Sequence, residues 1–258
     1  MTLATPDTRS TFSASPCPVC HSTEAEPFRE DGTMRLVRCP NCRLVRLDPP
    51  PSRENLDAFY DDAYAGGTLG YFTKVDRKLA RSAGRVRQIC ALLGKSPHGL
   101  SFLDVGANGG FMSEAAHRAG FQVTGVEPDA GALRYAEAHF PGIRFIHGFV
   151  ENAALEPGSF DVVYCSEVIE HSADCNAFVS AIARAMKPKA LLYLTTPDIG
   201  HWRRPKDIAK WDAFTPPVHC LYFTPSNLQM LLANHGLTIV RKRFALKPGI
   251  KLFARKSG

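Results

Sequence analysis

No apolar run in the 258-residue sequence approaches the roughly 20 residues that a bilayer-spanning helix needs. Met1 to Pro16 has neither the basic start nor the apolar middle of a secretory signal; rich in Ser, Thr and Pro, residues 1–16 are expected to form a disordered leader. Blocks of five or more like charges are absent, so no basic tail of the kind that grips nucleic acid is present. The net charge of +6 is moderate: it admits an anionic substrate without requiring one. With 45% hydrophobic and 22% charged residues, the composition is that of a globular enzyme able to bury one substantial core and carry a small appendage. The expectation is a cytoplasmic protein without membrane contact.

Four of the eight cysteines form two Cys-x-x-Cys pairs: Cys17 and Cys20, then Cys39 and Cys42. Two residues between thiolates let both point at one metal from a tight knuckle, and two knuckles complete a tetrahedral zinc site with no open position for catalysis. In a reducing compartment, metal binding is the better reading of such pairs. Short strands are expected at 35–38 and 44–47, so residues 17–47 read as a zinc ribbon stabilised by its metal. Arg29, Arg35, Arg38, Arg43 and Arg46 could touch RNA phosphates, but apart from Phe28 no aromatics interleave with them to stack bases. Nucleic acid is therefore a partner not favoured by the pattern.

Asp48-Pro49-Pro50-Pro51-Ser52 opens an extended linker, 48–55. From Lys74 to Leu93, apolar residues at helical spacing predict a helix that Gly94 closes. Beyond Leu100, strands (101–105, 121–127, 143–146, 160–165, 190–195) alternate with helices, which predicts an α/β fold with a mostly parallel sheet. Two final strands, 238–245 and 250–255, should pair antiparallel around Lys247-Pro248-Gly249.

Between the first strand and helix lies Asp104-Val105-Gly106-Ala107-Asn108-Gly109-Gly110, a loop whose backbone amides can approach a ligand closely. Asp104 can hold the loop and face the ammonium of an amino-acid moiety. Asn108 stands where a glycine is expected, and asparagine tolerates left-handed backbone angles better than most residues. Glu127, 17 residues after Gly110, ends the second strand and can accept both ribose hydroxyls of a nucleoside.

With these residues the chain resembles the class I S-adenosylmethionine-dependent methyltransferases over 56–255, which implies a Rossmann-like seven-stranded sheet and makes 56–258 the catalytic domain. Val126-Glu127-Pro128 resembles the family's ribose motif. Phe160-Asp161-Val162-Val163 with Glu167-Val168-Ile169-Glu170-His171 resembles its fourth-strand motif. Met186-Lys187-Pro188-Lys189 resembles the turn before the fifth strand, with Lys189-Ala190 where two glycines are usual. The resemblance implies cofactor contacts from Tyr64, Asp104, Gly106, Asn108, Gly110, Glu127, Pro128, Phe149, Val150 and Ser166. A four-cysteine ribbon before such a domain is similar to a branch acting on natural products and sugars. It implies a small-molecule acceptor: a sugar, nucleotide-linked sugar or natural-product intermediate.

Two histidines are candidate bases for a hydroxyl acceptor. His171 follows the fourth strand and either takes a proton or holds its loop. His219, in Pro216-Pro217-Val218-His219-Cys220, is either a substrate-side base or a packed loop residue. The long 197–223 segment could form a lid with Trp202, Trp211 and Phe214 in an acceptor pocket, and Arg203, Arg204, Lys206 and Lys210 receiving an anionic group. An RNA methyltransferase docking through the ribbon is the rival enzyme, against which the sequence lacks an Asn-Pro-Pro-Tyr or Asp-Pro-Pro-Tyr signature for a flipped base. A non-catalytic ribbon protein is the other alternative.

Overall fold

The structure, a computed structural model, describes residues 14–31, 34–52 and 72–258. Tyr64, the segment around it and residues 1–13 lie outside the described residues. Seven strands form the main sheet: β4 (Ser101–Val105), β5 (Gln122–Glu127), β6 (Arg144–His147), β7 (Phe160–Ser166), β8 (Met186–Thr196), β10 (Leu237–Lys242) and β11 (Ile250–Lys256). Their spatial order is β10-β11-β8-β7-β4-β5-β6. The five strands from β4 to β8 run parallel, while β11 lies antiparallel to both β8 and β10. The expected α/β seven-stranded fold is present.

Period-two alternation divides the core between the two faces. Phe102, Val162, Tyr164, Leu191, Tyr193 and Phe253 pack under helices α1 (Val75–Leu93) and α2 (Phe111–Arg118). Leu103, Val105, Val163, Cys165, Leu192 and Leu194 face α4 (Cys175–Ala185) and α5 (Pro225–Asn234). Helix α3 (Ala130–His139) starts at Asp129, whose carboxylate caps Ala132 N. Thr224, Pro225 and Asn227 start α5 with a capping box.

Strand β8 starts at Met186, earlier than the expected 190. Phe160 pairs with Met186 but Val162 already with Leu191, so Lys187–Ala190 bulge out of register. Lys189 takes φ 63° there, the left-handed angle for which glycine is the usual choice.

The cysteine ribbon contributes β1 (Glu26–Asp31), β2 (Met34–Arg38) and β3 (Val45–Leu47) to a second sheet, of order β1-β2-β3-β9. Its fourth strand, β9 (Leu221–Tyr222), comes from the 197–223 segment, with Val45 opposite Tyr222 and Arg46 opposite Leu221. Leu36, Leu44 and Leu47 join the same apolar cluster as the α4/α5 side of the main sheet. The ribbon is therefore fused to the larger unit through a shared core rather than held on a free tether. Asp48, the first linker residue, is buried against Arg35 at 2.7 Å. Ser15, at the end of the expected leader, donates its N–H to Asp48 and accepts from Arg46.

Candidate functional site

In an open parallel sheet, ligands bind beyond the carboxyl ends of the strands, where the chain order reverses. Here that point is β4, with β5 on one side and β7 on the other. Two joined cavities open there, of about 390 and 550 Å³, sharing Gly106, Pro128, Val168 and His171 in their walls.

The glycine loop leaves β4 with three left-handed residues: Gly106 at φ 71°, Asn108 at 46° and Gly110 at 76°. Asn108 holds its angle by accepting Gly109 N–H on its side-chain oxygen at 2.7 Å. A Cβ on Gly106 would stand 2.5 Å from Val168 Cγ2, so this position excludes a side chain on space as well as on φ. Asp104 is buried at the loop's base, accepts Ser113 Oγ–H at 2.6 Å and is pushed up to about 6 by burial.

Glu127 ends β5 with only 6% of its surface exposed. Its Oε2 accepts Asn108 N–H at 2.7 Å and its Oε1 accepts Asp129 N–H at 2.9 Å, so each oxygen retains acceptor capacity for a further hydroxyl. Burial pushes its carboxyl up to about 7. Asp104, Gly106, Asn108, Glu127, Pro128 and Ser166 line the larger cavity; Phe149 and Val150 line the smaller, beside Gly148, whose Cβ position has nothing within 4 Å. Gly110 lines neither cavity: its Cβ position faces Phe140, Ala136 and Phe145 behind the loop. A buried carboxylate with acceptor capacity left on each oxygen, a left-handed glycine loop and an adjoining apolar recess form a donor set that fits an adenosyl group carrying an amino acid.

His171 lies in a short 3₁₀ turn, Ile169–His171, after β7. Its Nδ1–H donates to Val218 O at 3.0 Å, which fixes the tautomer and leaves the lone pair on Nε2. Burial, reinforced by His219, lowers it to about 4. His219 stands edge-on to it, ring centroids 4.5 Å apart, with Nδ1–H donating to Ala213 O at 2.8 Å. His171 faces both cavities, whereas His219 is among the walls of neither. Glu170, His171 and His219 bring ligand-type atoms within 4.8 Å of one another. Glu170 accepts Thr196 Oγ1–H at 2.8 Å and is pushed up to about 8 by burial.

The 197–223 aromatics separate. Trp211 is buried in the core, Phe214 packs on Tyr222 at 5.1 Å, and Trp202 is 75% exposed. None of the three lines the two cavities, and neither do Arg203, Arg204, Lys206 and Lys210. The cationic wall comes instead from α1, where Lys78, Arg81 and Arg85 recur at helical spacing along the cleft. Arg85 donates to Tyr164 OH at 2.6 Å. Glu167 also lines the cleft at φ 58°, taking Thr195 Oγ1–H at 2.7 Å. Its place at the tip of a central parallel strand was the available signal.

The four ribbon thiols converge: Cys17 and Cys42 Sγ are 3.5 Å apart, Cys20 and Cys39 Sγ 3.4 Å, and all four lie within 4.8 Å of one another. Thiolates at about 2.3 Å from a tetrahedral zinc stand roughly 3.8 Å apart, so the cluster fits such an ion. Of the ribbon arginines, Arg46 is buried and bound to Ser15 O, and Arg35 is paired with Asp48.

Residues 72–242 match the family described as "Methyltransferase domain". A ubiquinone biosynthesis O-methyltransferase of Methylobacterium nodulans is 30% identical over 177 residues, covering 59% of this chain and 68% of that one. Its counterpart in Albidiferax ferrireducens is 36% identical over 117 residues, covering 43% of this chain; the match spans less than half of that protein, 44%. In structure, the 1,6-didemethyltoxoflavin-N1-methyltransferase of Burkholderia thailandensis, solved with bound 1,6-didemethyltoxoflavin and S-adenosylhomocysteine, superimposes with a TM-score of 0.60 at 18% identity, covering 91% of this chain and all of the other. The last likeness is one of fold.

Proposed function

The chain belongs to the methyltransferase domain family, and from that premise we propose that it transfers a methyl group from S-adenosylmethionine to a hydroxyl of a small-molecule acceptor. The observation that carries this reading is the buried Glu127 carboxylate, aligned by Asn108 and Asp129 amides, in one cleft with His171. Bound there, S-adenosylmethionine supplies an electrophilic methyl group on a sulfonium centre.

Glu127 would accept the two ribose hydroxyls, and Asp104, at the base of the loop, would attract the amino-acid ammonium. Phe149, Val150 and Pro128, which line the smaller cavity, would enclose the adenine. The chemistry then asks mainly for alignment, plus a proton acceptor if the nucleophile is a hydroxyl. His171 is the group placed for it: it lines the cleft and Val218 O holds its protonated nitrogen, so Nε2 is the atom that takes the hydroxyl proton. Lys78, Arg81 and Arg85 suit an acceptor bearing an anionic group. Sugars, nucleotide-linked sugars and natural-product intermediates satisfy these requirements. The relatives named O-methyltransferases support oxygen as the acceptor atom.

The catalytic domain spans 56–258 in this reading, and Cys17, Cys20, Cys39 and Cys42 hold a structural zinc. Engagement of Arg35 and Arg46 within the protein speaks against an RNA-docking ribbon. None of the eight cysteines is in a disulfide, which accords with a reducing, cytoplasmic setting. Among the described residues no helix is long and apolar enough to cross a membrane.

Transfer of labelled methyl from S-adenosylmethionine to a panel of hydroxylated acceptors, with tRNA and rRNA alongside, tests the proposal. The expected hit is a small hydroxylated compound, with His171→Asn slowing transfer about 10²- to 10⁴-fold. Labelling of RNA alone, or full activity in the variant, would overturn it.

A further inference from the structure

Both cysteine knuckles are gripped by the larger unit through their backbone carbonyls. Asn176 on α4 donates its side-chain amide to Pro18 O at 2.7 Å. From α5, Asn227 donates to Cys42 O at 3.2 Å and Asn234 to Val19 O at 3.0 Å. His235 Nε2 lies 3.0 Å from Asn176 Oδ1, so the first of these amides is itself braced. Asn227 is 1% exposed, and its Oδ1 simultaneously accepts Thr224 N–H, so both ends of the amide are committed. Carbonyls of the two Cys-x-x-Cys turns meet these donors in the same conformation that brings the four thiols together.

A continuous set of bonds leads from the same knuckles to the cleft. Strand β3 follows the second knuckle directly and pairs with β9; Leu47 N–H extends the pairing to Cys220 O at 2.9 Å. Cys220 N–H in turn donates to Glu170 O at 2.8 Å, and Val218 O receives the His171 Nδ1–H. His219, between these two residues, is the ring against which His171 stands. The 3₁₀ turn carrying His171 is thus hung from a segment whose other edge is the ribbon sheet.

We propose that the metal-loaded ribbon sets the orientation of His171: the metal shapes the knuckles, Asn176, Asn227 and Asn234 clasp them, and β9 transmits their position to the Val218–Cys220 segment. The three asparagines are positioning residues, since none touches the cleft. The inference rests on the methyltransferase reading only in taking the cleft as the acceptor site.

The test uses the full chain with histidine labelled in nitrogen-15. Asn227→Asp keeps an acceptor for Thr224 N–H, and therefore the helix cap, but loses the donor to Cys42 O. The expected result is a wild-type His171 in the single Nδ1–H tautomer, and a shift toward averaged tautomers in Asn227→Asp, in Asn176→Ala and in protein stripped of metal by a chelator. S-adenosylhomocysteine affinity should stay within about threefold in all of them. An unchanged His171 signature would overturn the proposal. So would loss of S-adenosylhomocysteine binding in step with the histidine shift, because the ribbon would then be a staple for the whole fold. Failure of wild-type protein to bind S-adenosylhomocysteine would instead refute the methyltransferase reading, and the tautomer comparison would still decide this one.

Discussion

Replacing Glu127 by Gln changes one atom and should weaken cofactor binding by a calculable amount. In the wild type each carboxylate oxygen takes one backbone N–H and has room for one ribose hydroxyl. A hydrogen bond to a charged group contributes about 1.5–3 kcal/mol, so the pair supplies roughly 3–6 kcal/mol. Glu127→Ala loses both bonds, an expected weakening of about 10²- to 10⁴-fold. Glu127→Gln keeps one neutral acceptor but sets its NH₂ against the N–H of Asn108 or Asp129, and should fall between the variant and the wild type. The pH profile sharpens the test. Burial holds the free carboxyl at about 7, and ribose favours the ionised form, so binding should release a proton. Affinity should tighten as pH rises toward about 7 and level off near 8, by about fourfold between pH 6.5 and 8, with a slope approaching tenfold per unit only well below 7. Glu127→Gln should lack that slope. Calorimetry with S-adenosylhomocysteine between these limits reads both effects. A Gln variant that binds as tightly as wild type, or that keeps the slope, would refute the assignment of Glu127 to ribose.

Gly106→Ala should destabilise the protein by about 2–4 kcal/mol in chemical denaturation, combining a left-handed angle with a methyl 2.5 Å from Val168 Cγ2; an unchanged midpoint would contradict the loop geometry. Burial raises Glu170 to about 8, and a carboxyl raised in the folded state contributes stability at low pH that is lost as pH rises through the folded value. Between pH of about 6.5 and 8 the ligand-free protein should therefore lose roughly 2 kcal/mol, and Glu170→Gln should flatten that decline. Freshly purified protein should carry about one equivalent of zinc, lost in Cys39→Ser, and metal analysis far below one equivalent would refute the four-thiolate site.

What could be read from the chain was local chemistry. The cap at Thr224-Pro225, Asp129 before α3, Gly94 after α1 and the strand–glycine loop–helix order all announce themselves within a few residues. Asn108 at φ 46° follows from the tolerance of asparagine for that region. What stayed hidden depends on partners far along the chain. Two residues, Leu221–Tyr222, are too few for a strand pattern, and only the ribbon edge at Val45–Arg46 makes them one. Trp202 and Trp211 are equivalent by composition, yet one is in water and the other in the core, because burial follows where the loop docks. Arg46 looks like its exposed neighbour Arg43 until Ser15 closes over it. His171 and His219 both qualify by type; their order, one at the cleft and one behind it, comes from the Val218 carbonyl.

The central claim is that the cleft beyond β4 binds S-adenosylmethionine through Glu127. Titration of the folded wild-type protein with S-adenosylhomocysteine at a pH of about 8 tests it most directly, and should give one site with a dissociation constant of order micromolar, about −8 kcal/mol. Absence of binding heat from protein shown to be folded would contradict the account.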